Sequence, residues 1–216
     1  MNATLGRLLC IVALAGAFGA ARAQTAPAPV PGREFQVLSP AHPVSSGDRI
    51  EVIEFFYYGC PVCYETQPQL ARWLQKSGND VLLWRVPAIS SEGWDSFART
   101  FYTLEAMGVL ARLHWPVYDN HHFDGKRLNE EANVVAWVKG NGVDAERFTA
   151  IWHSPETTAK LDTAKKMLEA YGVRGVPSFV VDGKYLTSGR LAGGVKEMIA
   201  VLDYLVARAR SERGKK

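Results

Sequence analysis

Cysteine is scarce in this chain, three residues in 216. That excludes a disulfide-stapled miniprotein, and a chain of this length buries enough apolar surface to fold without staples. No apolar run reaches the ~20 residues that a spanning helix needs, which excludes a multi-span membrane protein. No block of about five or more Lys and Arg occurs, and the formal net charge is only +3. Nothing therefore marks a nucleic-acid-binding tail or face. Internal repeats are absent. A hydrophobic share of 47% with 22% charged residues excludes a collagen or a disordered chain and fits a globular domain.

What is present begins with an address. Arg7 precedes the apolar run Leu8 to Phe18, and Ala21-Arg22-Ala23 offers a small-x-small site before Gln24. This is the three-part pattern of a secretory signal peptide, residues 1–23, cleaved after Ala23. The run is too short for an anchor. Cys10 opens it rather than closing it, unlike a lipid-acceptor cysteine. Cleavage leaves Cys60 and Cys63 as the mature cysteines, in an exported and oxidising compartment. Residues 24–34 carry Pro27, Pro29 and Pro31 with little to bury, and read as a flexible leader.

Glu34 to Leu38 reads as a short strand. Ile50 to Tyr58 is rich in β-branched and aromatic residues with little alternation, the pattern of a strand buried on both faces. Pro61 at a first helical position and Gly78 as a stop bound a helix over 61–77, with Pro68 inside it as an expected kink. Val81 to Val86 reads as a further strand. From Ser91 the texture becomes helical: 96–107, 110–120, 130–141 and 145–153, separated by Gly108, Gly125 and Gly142. A longer helix starts at Pro155. Ser178 to Val181, Asp182-Gly183 and Lys184 to Thr187 form a hairpin pattern, and 195–210 is a final amphipathic helix. The expected class is α/β, divided as 35–90, a helical insertion over 91–163, and 164–216. Most of the aromatics Tyr57, Tyr58, Phe101, Tyr102, Trp115, Trp137 and Trp152 are expected in the core.

The chemistry lies in Cys60-Pro61-Val62-Cys63, at a strand-to-helix junction. Cys60 stands where unpaired backbone N–H groups and the helix dipole stabilise an anion, which populates the reactive thiolate. Cys63 lies one turn in, close enough to close a disulfide ring and shielded by that turn. The pair is suited to cycling by exchange through a mixed disulfide, with Cys60 as nucleophile and Cys63 as resolving thiol. Two other uses stand beside this one. A zinc site needs four ligands, and His42, His114, His121, His122 and His153 show no finger spacing. A structural disulfide closing so short a loop stabilises little by chain entropy. Glu54 interrupts the apolar strand. It either reaches solvent at a strand end or is buried, and a buried carboxylate must be paired or neutralised.

Strand, Gly59, Cys60-Pro61-Val62-Cys63, helix, helical insertion and then Arg174-Gly175-Val176-Pro177 together resemble the thioredoxin-fold oxidoreductases. More narrowly they resemble the DsbA-like thiol oxidases of the Gram-negative periplasm. Val176-Pro177, over a hundred residues after the cysteines and across the insertion, makes the resemblance specific. It implies a thioredoxin fold with an inserted all-helical domain and a cis Val176–Pro177 bond facing the cysteines. Such a bond would expose the Val176 backbone to an extended substrate peptide. It implies that Glu54, six residues before Cys60, is the family's buried acid and takes the proton of Cys63. The family's lysine partner for that acid is missing. Leu83 stands near its place, and Arg85, two residues on and on the same face, is the substitute. The family's Pro-His dipeptide is Pro61-Val62 here.

The expected function is periplasmic oxidation of cysteine pairs in exported, folding proteins, with reoxidation by a membrane quinone-linked oxidase of the DsbB kind. No cofactor, metal or nucleic acid is expected, and the protein is expected to be a monomer. Two alternatives are carried. One is a reductase or isomerase with the same motif, although only about a dozen mature residues precede the first strand, too few for an added dimerisation domain. The other is a non-enzymatic thioredoxin-like module that binds a metal or a peptide. A copper chaperone would be expected to cluster Met or His near the thiols, and Met1, Met107, Met167 and Met198 are scattered.

Overall fold

The structure, a computed structural model, describes residues 27–91 and 93–214. The expected signal peptide and the first residues of the leader lie outside the described residues. Among the described residues no helix is long and apolar enough to cross a membrane.

The chain runs β1 (Gln36–Val37), β2 (Ile50–Phe56), α1 (Pro61–Ser77), β3 (Val81–Pro87), α2 (Asp95–Ala106), α3 (Leu110–His122), α4 (Glu131–Gly140), α5 (Ala145–Trp152) and α6 (Pro155–Ala170). It continues through β4 (Ser178–Val181), β5 (Tyr185–Ser188), α7 (Gly189–Ala192) and α8 (Val195–Gly214). The strands form a five-stranded sheet in the order β1-β5-β4-β2-β3. Only β2 and β3 are parallel; the other pairs are antiparallel.

All seven residues of β2 are buried, because both faces of the sheet are covered. Its even-numbered residues Ile50 and Val52 pack with Leu70 and Trp73 of α1 and with Val201, Leu202 and Leu205 of α8. Ile53 and Phe55 point the other way, onto Ala164 and Leu168 of α6. Two-sided burial explains the missing alternation: neither face is wet, and every position of β2 except Glu51 and Glu54 is apolar. A third cluster holds Phe56, Tyr58 and Cys63 against Phe97, Phe101, Leu113, Val117 and Tyr118 of α2 and α3. The active-site turn therefore sits where the sheet meets the helical block.

The elements differ in detail from the sequence expectation. β1 is reduced to Gln36–Val37, because its pairing with β5 covers only two register positions. β2 stops at Phe56 rather than Tyr58, because the chain turns there: Cys60 N–H donates to Tyr57 O at 3.0 Å. Gly59 belongs to that turn, and a Cβ on it would lie 2.6 Å from the Tyr57 ring. α1 runs on through Pro68 to Ser77. The short α7 has no counterpart in the sequence reading. Residue 163, the expected end of the insertion, lies within α6, whose later residues pack on the sheet. The hairpin turns through Asp182 (φ 53°) and Gly183 (φ 64°), with Lys184 N–H donating to Val181 O at 3.0 Å.

Candidate functional site

Pro61 occupies the first position of α1 and Cys60 caps it in an extended conformation (φ −88°, ψ 117°). Its sulfur stands where a Ser or Asp oxygen usually caps, accepting the Cys63 N–H at 3.4 Å. Cys60 is partly exposed, whereas Cys63, one turn on, is 0% exposed. The two thiols are consequently driven apart in acidity. The Cys60 thiol is lowered to about 6, first by the hydrogen bond from the Cys63 side chain; burial opposes this, and the Cys63 and Val62 backbone N–H groups assist. Cys63 is pushed well above the usual thiol range by burial and by the proximity of Cys60.

Labelling of the reduced protein with iodoacetamide is therefore expected on Cys60 alone, with a midpoint at about 6. Equal labelling of Cys63, or a midpoint near the ordinary thiol value, would contradict this asymmetry. The same displacement acts on stability. An unfolded thiol titrates near 9.0, so the reduced fold gains stability as pH rises from about 6 towards 9, and loses it as pH falls back through that window.

Facing Cys60, the Val176–Pro177 peptide is cis. The Cys60 thiol lies 3.8 Å from Val176 O as a donor. Val62, Arg174, Gly175, Val176, Pro177 and Pro40 help to line an adjoining groove of about 1160 Å³. Pro61 and Val62 open the first turn of α1, and Val62, which lines the groove, is 42% exposed.

Glu54 does not reach solvent; it is 0% exposed. The parallel register sets it opposite Arg85, which donates from Nε to Glu54 Oε2 at 2.9 Å, while Leu83 pairs with Val52. Gln67 of α1 donates from Nε2 to Glu54 Oε1 at 2.6 Å. Burial pushes the Glu54 carboxyl above its usual range, and Arg85 and Gln67 pull it back part of the way. The Glu54 charge also acts on Cys63.

Gln67 was absent from the sequence expectation. Its signal was present: it lies four residues after Cys63 on the buried stripe Cys63, Thr66, Gln67, Leu70, Trp73, where an amide requires a partner. Two histidines were also missed. Tyr58 Oη and His114 Nδ1 share a buried hydrogen bond at 2.7 Å, and His122 Nε2 donates to Tyr58 O at 2.7 Å. Burial holds His114 well below the usual histidine range. Both reach back from α3 to the residue two before Cys60, a contact that only the tertiary fold creates. Of the aromatics, Tyr58, Phe101, Trp137 and Trp152 are core residues. Trp115 is 41% exposed and stacks on Tyr64, the residue after Cys63, with ring centroids 5.1 Å apart.

The arrangement can accept a thiolate at Cys60 Sγ and store two electrons in the pair. Comparison with known proteins points the same way. Residues 51–205 match the family model described as a DSBA-like thioredoxin domain. The thiol:disulfide interchange protein DsbA of Azotobacter vinelandii is 38% identical over 180 residues, 83% of this chain and 84% of its own length. DsbA of Pseudomonas aeruginosa is 38% identical over 205 residues, 94% of this chain and 96% of its own. The crystal structure of Pseudomonas aeruginosa DsbA superposes with a TM-score of 0.79, covering 86% of this chain and 96% of that one. The oxidoreductase DsbA of Xylella fastidiosa, 28% identical, gives 0.78, covering 85% and 98%.

Proposed function

This chain belongs to the DsbA-like thioredoxin-domain family, and as a member of that family of thiol:disulfide oxidoreductases we propose the following roles for its residues. Cys60 is the nucleophile and Cys63 the resolving thiol. A substrate thiolate attacks Cys60 Sγ of the disulfide-bonded pair, and Cys63 leaves as a thiolate and takes up a proton. The second substrate thiolate then attacks the substrate's own sulfur in the mixed disulfide and expels the Cys60 thiolate. The substrate has gained a disulfide and the protein has gained two electrons. Glu54 exchanges the proton with Cys63, and the Val176–Pro177 segment docks the extended substrate backbone. The observation that carries the reading is the asymmetry of the pair: a partly exposed, acidic Cys60 capping α1 above a Cys63 with no exposure.

The protein works in the periplasm after cleavage at Ala23, as a monomer, on exported chains still folding. A membrane quinone-linked oxidase of the DsbB kind reoxidises it, docking its loop beside Pro177. Residues 35–90 and 164–216 act as the thioredoxin unit, with 91–163 as its inserted helical domain. Oxidation of a reduced dithiol peptide by the disulfide form tests the reading against insulin reduction. Rapid insulin reduction with no peptide oxidation would favour a reductase instead.

Val62 tunes the poise. A histidine at that position donates to the Cys60 thiolate and favours it electrostatically, and valine does neither. A contribution of helix-dipole size, about 0.3–2 kcal/mol, corresponds to roughly 6–43 mV for a two-electron couple. Val62→His is expected to raise the reduction potential by that order and to lower the Cys60 midpoint. A glutathione redox titration of both proteins checks this, and an unchanged or lower potential would remove Val62 as the lever.

A further inference from the structure

Glu54 is held at both oxygens. Arg85 reaches Oε2 from the edge strand β3, and Gln67 reaches Oε1 from α1, the helix that carries Cys63. Gln67 is itself buried, so its amide has no water to turn to. A carboxylate only accepts, which fixes the NH2 group of the amide towards it. The remaining surroundings offer Glu54 little. Across the antiparallel register it meets Phe179 of β4, and α8 presents the apolar Met198, Val201, Leu202 and Leu205 to that side of the sheet. The titratable groups that feel its charge are Arg85, Cys63, Tyr58 and, from α3, Tyr118.

We propose that Gln67 is a positioning residue for the disulfide exchange: with Arg85 it clamps the buried Glu54 carboxylate in the form and orientation that accept the proton of Cys63. The inference rests on the role given to Glu54 above. The clamp matters because burial alone favours a neutral carboxylic acid, which has no vacancy for a proton. Arg85 cannot lose its charge, so it supplies a constant attraction; Gln67 adds a short hydrogen bond that is stronger to the anion than to the neutral acid. Gln67 also lies one helical turn beyond Cys63, so one rigid element spaces the thiol from the group that anchors its base. When the protein is reoxidised from a mixed disulfide on Cys60, the Cys63 proton passes to Glu54. The Cys63 thiolate attacks Cys60 Sγ, the Cys60–Cys63 bond forms, and the bond from Cys60 to its partner breaks. The partner leaves as a thiolate with the electron pair.

Glutathione disulfide serves as the oxidant that probes this step. Reduced protein is mixed with an excess, quenched in acid at intervals, and the Cys60–glutathione adduct is followed by mass spectrometry across pH. In Gln67→Leu the rising limb of adduct resolution is expected to move to higher pH by about one unit, the order set by one hydrogen bond to a charge. Below that limb resolution slows by about tenfold for each unit of displacement. Gln67→Met, of similar length and with no donor, is expected to shift the limb likewise, while the Cys60 alkylation midpoint stays at about 6. Glu54→Gln is run beside them and is expected to abolish the limb. If Glu54→Gln abolishes it and both Gln67 variants keep the wild-type profile, the clamp is overturned and the role of Glu54 stands. If Glu54→Gln keeps the wild-type profile, both are overturned. A Cys60 midpoint that moves with the limb in both Gln67 variants would mark a distorted helix start and would likewise overturn the assignment.

Discussion

Cys63→Ala is expected to abolish catalytic disulfide donation and to leave a single reactive thiol that holds its partners covalently. With the second sulfur gone, no protein disulfide exists to donate, and a mixed disulfide on Cys60 has no internal thiol to release it. The loss is large because the lost nucleophile is held in place. Well-oriented intramolecular groups act at effective concentrations of about 10⁵–10⁸ M, which free thiols in solution do not approach. Cys60 should remain a thiolate near neutral pH, but its midpoint should rise above about 6, because the foremost cause of its acidity is the hydrogen bond from the Cys63 side chain. The backbone N–H groups of Val62 and Cys63 survive the substitution and keep the midpoint below the ordinary thiol value. The checks are intact-mass analysis of adducts with a dithiol peptide and a pH titration of alkylation. Turnover in Cys63→Ala comparable to wild type, or adducts that decay as fast, would sink the assignment of Cys63 as the resolving thiol.

How far this site could be read from sequence depends on how local each part is. Cys60 at the head of α1 was legible because proline at the first helical position and a turn before it are local instructions, and the helix terminus supplies the chemistry by itself. β2 was legible because two-sided burial leaves a β-branched and aromatic run without alternation, interrupted only by Glu51 and Glu54. The Glu54–Arg85 pair was half legible. Side-chain period two put Arg85 on the right face, but only the parallel register shows that it stands directly opposite Glu54. Gln67 was overlooked because a polar residue in a helix is usually read as solvated, although its place in the stripe of Cys63, Leu70 and Trp73 argued otherwise. His114 and His122 were not legible at all. Their bonds to Tyr58 span 56 and 64 residues, and no periodicity encodes which helix of the inserted block meets the active-site turn. The shift of β5 to Tyr185–Ser188 has the same origin in miniature: Lys184 belongs to the turn that closes on Val181 O, a matter of hydrogen bonding rather than composition.

Glu54→Leu is expected to separate stability from chemistry. The carboxyl lies at 0% exposure and burial raises its pKa in the folded protein. A raised folded pKa means that this group favours folding fully only below the unfolded value of 4.5, and that the contribution is lost as pH rises through the folded value. At neutral pH the wild type therefore bears the cost of a desolvated charge, only partly offset by Arg85 and Gln67. Leucine has nearly the volume of glutamate and suits the neighbouring Val52 and Leu70, so the variant should match or exceed wild-type stability near pH 7. Removing one member of an ion pair is costly when the charge left behind is buried, but Arg85 reaches solvent, so the substitution resembles the replacement of a whole pair by apolar residues, which is commonly neutral or favourable. Arg85, 29% exposed, can turn its guanidinium to water, and the Gln67 amide is the one group left in need. The stability difference should shrink as pH falls and level off below 4.5, where the wild-type carboxyl is protonated in both states. The chemistry should go the other way. Without an internal proton acceptor, attack by the buried Cys63 thiol should slow by about 10²-fold or more, the usual size of a general acid–base contribution. Urea denaturation of wild type and Glu54→Leu at several pH values, beside single-turnover resolution of the glutathione adduct, reads both quantities on the same samples. A variant that is several kcal/mol less stable at pH 7 would make Glu54 a structural pillar. One that resolves the adduct at the wild-type rate would take the proton transfer away from Glu54 and leave Cys63 to find its base in solvent.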